Sequence, residues 1–209
     1  MSALPHLGWS SHVYPLEAAD FAKVPDYDGG DIPDEALPGD GVVLLVRPDG
    51  PDALLRGRAK AEEAAARGET VQVRVVFRPS MAKWNLPATI VRALRSKYRY
   101  HGTGVYHIAP KAIRAMGLER AVRTLDNPQQ RKNKDRAASM KRLATSLRER
   151  GYDDARPISV HLCRIFGLRD SLRQGHHRIS ACLECGIERM AMGFCAAGAL
   201  PRELGGRRA

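Results

Sequence analysis

The sequence predicts an α+β protein in which short strands alternate with helices. Three observations carry this. Apolar runs such as Val42–Val46 have the length of a strand, not of a buried helix. Ala- and Glu-rich or amphipathic stretches end at glycines placed where a helix C-terminus needs one. The order strand, glycine, helix, glycine, strand occurs twice, around Gly57 to Gly68 and around Gly175 to Gly186. With 209 residues the chain can bury a proper core, as one domain or two small ones.

Residues 1–40 are rich in Pro, Gly and Asp and read as loop, with one short helix near 16–22. Val42–Val46 is a buried-type strand stopped by Pro48-Asp49-Gly50-Pro51. A helix over 58–67 closes at Gly68, and 71–77 alternates Val71, Val73 and Val75 with polar residues, a period-two strand. The middle reads as helical. Over 87–99, Ile90, Val91, Leu94 and Tyr98 share a face, and Tyr98-Arg99-Tyr100-His101 interleaves aromatic and basic groups. Pro110 opens a further helix, broken at Gly117 and resumed to about Leu125. A long helix over 134–150 with Met140, Leu143, Ala144 and Leu147 inward ends at Gly151, and a strand begins at Pro157-Ile158. A short strand leads into Gly175, followed by a helix over 177–185, a stop at Gly186 and a last strand over 190–194.

No apolar run approaches the ~20 residues that cross a bilayer, and the first residues lack a basic cluster followed by an apolar stretch. The expectation is a cytoplasmic protein without a membrane partner. Its cysteines, Cys163, Cys182, Cys185 and Cys195, are then reduced thiols, and the helical setting of Cys182 and Cys185 favours burial over a zinc site. Lys and Arg outnumber Asp and Glu 34 to 23, which favours a polyanionic partner. The first 55 residues are acid-rich, so the positive charge concentrates later, densest over 92–150.

Gly175-His176-His177-Arg178 is the segment with the clearest chemistry. A helix's first turn has N–H groups without intrahelical partners and the positive end of the macrodipole. Gly175 lets the backbone approach a ligand, Arg178 offers a fork for phosphate oxygens, and His176 and His177 add donors tunable near neutral pH.

Leu125-Asp126-Asn127-Pro128-Gln129-Gln130-Arg131-Lys132 resembles the Asn-Pro-x-Gln-x-Arg box of ParB-like domains. Leu143 to Leu147, Gly151 and Pro157 to Val160 resemble the segment after that box, and Gly175-His176-His177-Arg178 with Ala181 and Gly186 resembles the family's Gly-x-x-Arg helix and its stop. The likeness to the ParB/sulfiredoxin superfamily covers residues 122–195, about a third of the chain. It implies a small mixed sheet flanked by helices, with 121–209 as the nucleotide-binding domain and 1–120 as an α+β region. It implies ATP or another nucleotide as ligand, with magnesium as the accompanying ion. Gln174, Gly175, His176, His177 and Arg178 look like the phosphate cradle, and Asn127, Gln130 and Arg131 like its flanking box. His176 stands where sulfiredoxins carry their catalytic cysteine, and Gln174 where relatives often carry an acid. Sulfiredoxin chemistry is therefore disfavoured.

Gly57 to Gly68 spans the same 11 residues as Gly175 to Gly186, and Lys60 falls where Arg178 does. One reading is a degenerate second copy of the unit, with Arg56, Arg58 and Lys60 as remnants of a cradle; the other is that strand–glycine–helix–glycine–strand units recur without common origin. In layout the chain is similar to plasmid-encoded fertility-inhibition factors of the superfamily. That points to a protein that hydrolyses a nucleotide and acts on DNA, as ATPase, nuclease or both. His177 and Arg178 are its candidate catalytic groups, and Asp126, Asp135 and Glu149 its candidate carboxylates. The alternatives are a small-molecule kinase of the free-serine type and a non-catalytic nucleotide sensor that docks a protein partner.

Overall fold

The computed structural model describes residues 7–29, 37, 39–47, 50–77, 104–120, 136–162 and 169–196. They form two small mixed sheets with helices packed on them, an α+β architecture. The first sheet holds β1 (Gly8–Glu17), β2 (Val42–Val46), β3 (Ala53–Arg56) and β4 (Thr70–Phe77), in the order β1-β4-β2-β3. A 3-10 helix, Ala18–Lys23, follows β1, and α1 (Arg58–Ala66) joins β3 to β4. The second sheet holds β5 (Val105–Ile108), β6 (Glu119–Arg120), β7 (Ile158–Leu162), β8 (Ser171–Gln174) and β9 (Met190–Ala196), in the order β5-β9-β7-β8-β6. Its helices are α2 (Pro110–Ala115), α3 (Arg136–Arg150) and α4 (His176–Glu184).

β2 is apolar at all five positions because both its faces are covered. Val42, Leu44 and Val46 enter the main core, while Val43 and Leu45 join Leu37 and Val76 in a smaller cluster on the other face. The main core runs through both sheets, from Tyr14 and Val73 to Tyr106, Ile158 and Phe194. None of the helices among the described residues is long and apolar enough to cross a membrane.

Several expectations hold closely. β2 has the predicted bounds, and α1, β4, α3, α4 and β9 begin or end within two residues of theirs. The N-terminal region differs: a ten-residue strand stands where loop is expected, and the short helix starts only at Ala18. The strand is hidden in the sequence because its pairing with β4 shifts register between Trp9 and Val13. That shift buries Ser10, whose hydroxyl accepts the Val75 N–H at 3.1 Å and donates to the His12 carbonyl at 2.6 Å. β5 likewise interrupts the stretch read as helical, with Tyr106 and Ile108 inward and Val105 outward, and at four residues it is too short to show a period. The helix opened by Pro110 stops at Ala115. Gly117 takes a left-handed φ of 60° and the chain turns into β6, which pairs parallel to β8 instead of resuming a helix. The helix expected over 87–99, the Tyr98 to His101 quartet and Cys163 lie outside the described residues.

The two sheets meet through polar contacts as well as core. The Tyr14 hydroxyl donates to Asp170 Oδ2 at 2.8 Å, and the Tyr106 hydroxyl donates to Asp52 Oδ2 at 2.7 Å. His107 lies between two carboxylates, with Nδ1 2.9 Å from Asp20 Oδ1 and Nε2 2.9 Å from Asp154 Oδ2. Its backbone N–H also donates to Asp20. Both ring nitrogens can donate only in the imidazolium form. Burial pulls the His107 pKa down, but the hydrogen bonds to and charges of Asp20 and Asp154 outweigh it and raise the net value. A raised folded-state pKa means this contribution is full below the unfolded value of about 6.5 and is lost as pH climbs through the folded one. Urea denaturation should therefore show stability falling as pH rises from about 6.5, and His107→Gln should flatten that slope at a cost of about 1 kcal/mol on the acid side. An unchanged slope in the variant would assign the titration to another group.

Candidate functional site

β8 delivers the chain to Gly175, which adopts φ 112° and ψ 1° as the N-cap of α4. A side chain here would run into Ile158, whose Cβ lies 2.8 Å from where a Cβ would stand, so the β8–α4 turn can lie on β7 only as glycine. The Gly175 carbonyl starts the helix by accepting the Ile179 N–H at 2.8 Å. Ile179, Ala181 and Cys182 anchor α4 in the core, which leaves its first turn at the surface.

Across from that turn stands the C-terminal half of α2. Between them is a cavity of about 370 Å³. One part of its wall is polar: Arg114 from α2, with His176, His177 and Ser180 from α4. The other part is apolar, made by Ile113, Leu118, Leu172 and Ile179. No carboxylate lines it among the described residues. The unpaired amides of an α-helix's first turn and the Arg114 guanidinium both favour negative charge in this space.

The predicted cradle residues are thus separated. His176 and His177 line the cavity, with His176 Nε2 3.3 Å from the Leu172 carbonyl. Arg178 points the other way. Its Nη1 donates to the Arg156 carbonyl, in the loop after α3, where the Tyr152 hydroxyl also donates at 3.0 Å. Burial pushes the Tyr152 phenol up to about 12, against the pull of the Arg178 charge. Gln174 is exposed at the end of β8, paired with Ser159 of β7. Glu149 is exposed in the last turn of α3 and does not line the cavity. Asp126, Asn127, Gln130, Arg131 and Asp135 lie outside the described residues.

Arg114 and Ser180 were not legible as site residues. Ser180 is one turn beyond His176, so helical spacing could have placed it beside the cradle, but nothing in the sequence says that α2 faces α4. Cys182 of α4 and Cys185 at its C-cap belong to packing. Cys182 is fully buried, and burial first, then the neighbouring Cys185, pushes its thiol to about 11 despite Arg178. Cys185 lies with Sγ 3.6 Å from the Ala144 carbonyl, joining α4 to α3. Burial also pushes the Cys195 thiol to about 11. Among the described residues no group of three or more His, Cys, Asp or Glu side chains converges as a metal site.

Comparison of the chain with known protein families, characterised proteins and solved structures finds no match in any of the three.

Proposed function

We propose that the cavity between α2 and α4 binds a nucleotide and that the protein acts on DNA through its basic surface. The supporting observation is the two-sided chemistry of that cavity. Its apolar wall of Ile113, Leu118, Leu172 and Ile179 suits a base, and its polar wall of Arg114, His176, His177 and the first turn of α4 suits phosphates. Its size, about 370 Å³, lies within the range of small-ligand sites. The resemblance to ParB-like domains supports the same ligand. A magnesium ion arriving with the nucleotide would be held chiefly by the phosphates, since no described carboxylate lines the cavity. Of the carboxylates considered for hydrolysis, only Glu149 is described, and it does not reach the cavity.

The net charge of +11 supports DNA as the second partner, and on α3 Lys141, Arg142, Arg148 and Arg150 are exposed. Four phosphate contacts would make duplex affinity fall on the order of a hundredfold between about 50 and 200 mM salt. Fluorescence anisotropy with a labelled duplex measures this, and Lys141→Glu with Arg142→Glu should weaken binding at low salt. For the nucleotide, a thermal-shift series with ATP, CTP and GTP, with and without magnesium, should give a dose-dependent rise in Tm for at least one of them. Arg114→Ala should reduce that rise. If none of the nucleotides raises Tm at millimolar concentration, the reading of the cavity is wrong.

A further inference from the structure

We infer that residues 8–77 and 104–196 are two copies of one structural unit, joined in one chain like a fused homodimer, and that only the second copy has kept its cavity open. The pairing registers coincide. β2 and β4 run parallel with Val42 beside Val73, and β1 sets Tyr14 beside the same Val73. β7 and β9 run parallel with Ile158 beside Met192, and β5 sets Tyr106 beside the same Met192. β2–β3 and β7–β8 are both antiparallel, and each shifts register at the same step, Val43/Leu44 in one and Ser159/Val160 in the other. β3 and β8 then pass through Gly57 and Gly175, both left-handed, into helices of nine residues. Those helices end at Gly68 and Gly186, with φ of 66° and 69°.

The edge strands match as well. β1 and β5 each lead directly into a helix of six residues, the 3-10 helix and α2. The parallel place that β6 takes beside β8 is taken beside β3 by the Asp26–Leu54 bridge. α3 is the described addition of the second unit.

The Tyr–Asp contacts between the units are reciprocal. Tyr14 of the first reaches Asp170 of the second, and Tyr106 of the second reaches Asp52 of the first. Tyr14 and Tyr106 are register equivalents, and Asp52 and Asp170 each stand one residue before β3 and β8. The backing of each carboxylate also matches. The His12 N–H donates to Asp170 Oδ2 at 3.3 Å, and the Gly104 backbone hydrogen-bonds to Asp52. A pair in which i meets j and j meets i is the signature of a two-fold interface between copies.

The two sites differ in what the first residue of the helix does. Arg58 and His176 are the first residues of α1 and α4. In the first unit the Arg58 guanidinium crosses to the opposite wall, donating to the Phe21 carbonyl at 3.1 Å, to Asp26 Oδ1 at 2.9 and 3.0 Å, and to the Val24 carbonyl. Phe21, Val24 and Asp26 lie in the segment that matches α2 and the residues after it. The guanidinium therefore spans in the first unit the gap that is a cavity in the second.

The test does not depend on any ligand, so it can fail while the nucleotide reading stands, and the reverse. A site-specific protease site is placed within 78–103 of the full-length protein and cut after folding. The two fragments should co-elute on gel filtration at the volume of the uncut chain. Separation of the wild-type fragments at micromolar concentration would overturn the fused-dimer inference. In the same background, Tyr14→Phe and Tyr106→Phe should each weaken re-association of the fragments, by similar factors. Widely unequal factors would contradict the equivalence of the two contacts. For the closed site, Arg58→Ala should lower the folding equilibrium constant by about a hundredfold and His176→Ala by less than about tenfold. Equal losses would overturn the assignment of Arg58 as a filler peculiar to the first unit.

Discussion

Gly175→Ala is expected to destabilise the protein by about 2–5 kcal/mol, while Gly186→Ala costs only about 1 kcal/mol. Both glycines have positive φ, 112° and 69°, so both substitutions carry the strain of an L-residue in a left-handed conformation. They differ in what a Cβ would meet. At Gly186 nothing among the described residues lies within 4 Å, whereas at Gly175 the new atom would collide with Ile158, which is itself buried in the core beneath the turn. Ile158 cannot yield without disturbing the pairing of β7 with β9, so overpacking adds to strain. Gly57 repeats the arrangement against the backbone of Val42, whose Cα would be 2.9 Å from a Cβ there, and Gly57→Ala should fall with Gly175→Ala. Urea denaturation of the three variants checks the ranking. A Gly175→Ala loss no larger than that of Gly186→Ala would mean that the turn does not rest on Ile158.

Tyr14→Phe and Tyr106→Phe should each cost about 2–3 kcal/mol, because each removes a donor from a buried carboxylate and leaves the charge in place. Asp170 and Asp52 are 0% and 4% exposed, and among the described residues neither has a hydrogen-bond partner at Oδ1. Burial pushes the Asp52 pKa up, more than the Tyr106 hydroxyl, the Arg47 and Gly104 backbones and the Arg47 charge draw it down. Burial and the facing carboxylates drive both phenols far above their ordinary range, so they remain donors at any working pH. For a chain of this length the loss is expected as a fall in Tm of about 4–12 °C. Adding Asp170→Asn to Tyr14→Phe should recover part of it, since the orphaned group is then uncharged, and the double variant should cost less than the two single changes together. Losses below about 0.5 kcal/mol for both tyrosines would show that the two Tyr–Asp pairs do not help to hold the units together.

Much of the fold is legible because its strongest signals are local. The unbroken apolar run of β2, the alternation of β4 and the glycines that start and stop α1 and α4 each act within a few residues. β1 is not legible, because the shift at Trp9/Val13 breaks its period and a buried serine stands where an apolar residue is expected. The paired Tyr–Asp contacts cannot be read at all, since each joins residues more than 50 positions apart. The echo of Gly57–Gly68 in Gly175–Gly186 is visible in the sequence, but the matching registers that give it weight exist only in three dimensions. At the site, the glycine and the two histidines fall where the helix-start argument puts them. The same argument aimed Arg178 at the ligand as well. On an α-helix, residues one and two positions apart face different ways, so Arg178 turns to the loop after α3 while Arg114, from a separate helix, supplies the cation beside the cavity.

The central claim is that the space between α2 and α4 is a ligand site, and the most direct measurement is isothermal titration of the protein with the nucleotide that most raises its Tm, for wild type and for Ser180→Trp. Ser180 is exposed on the second turn of α4 and lines the cavity, so an indole there fills it without entering the core. The expected result is saturable binding by the wild type and at least a tenfold loss in the variant, with the variant's unfolding midpoint in urea unchanged. Equal affinity in the two proteins would place the nucleotide elsewhere and contradict the claim.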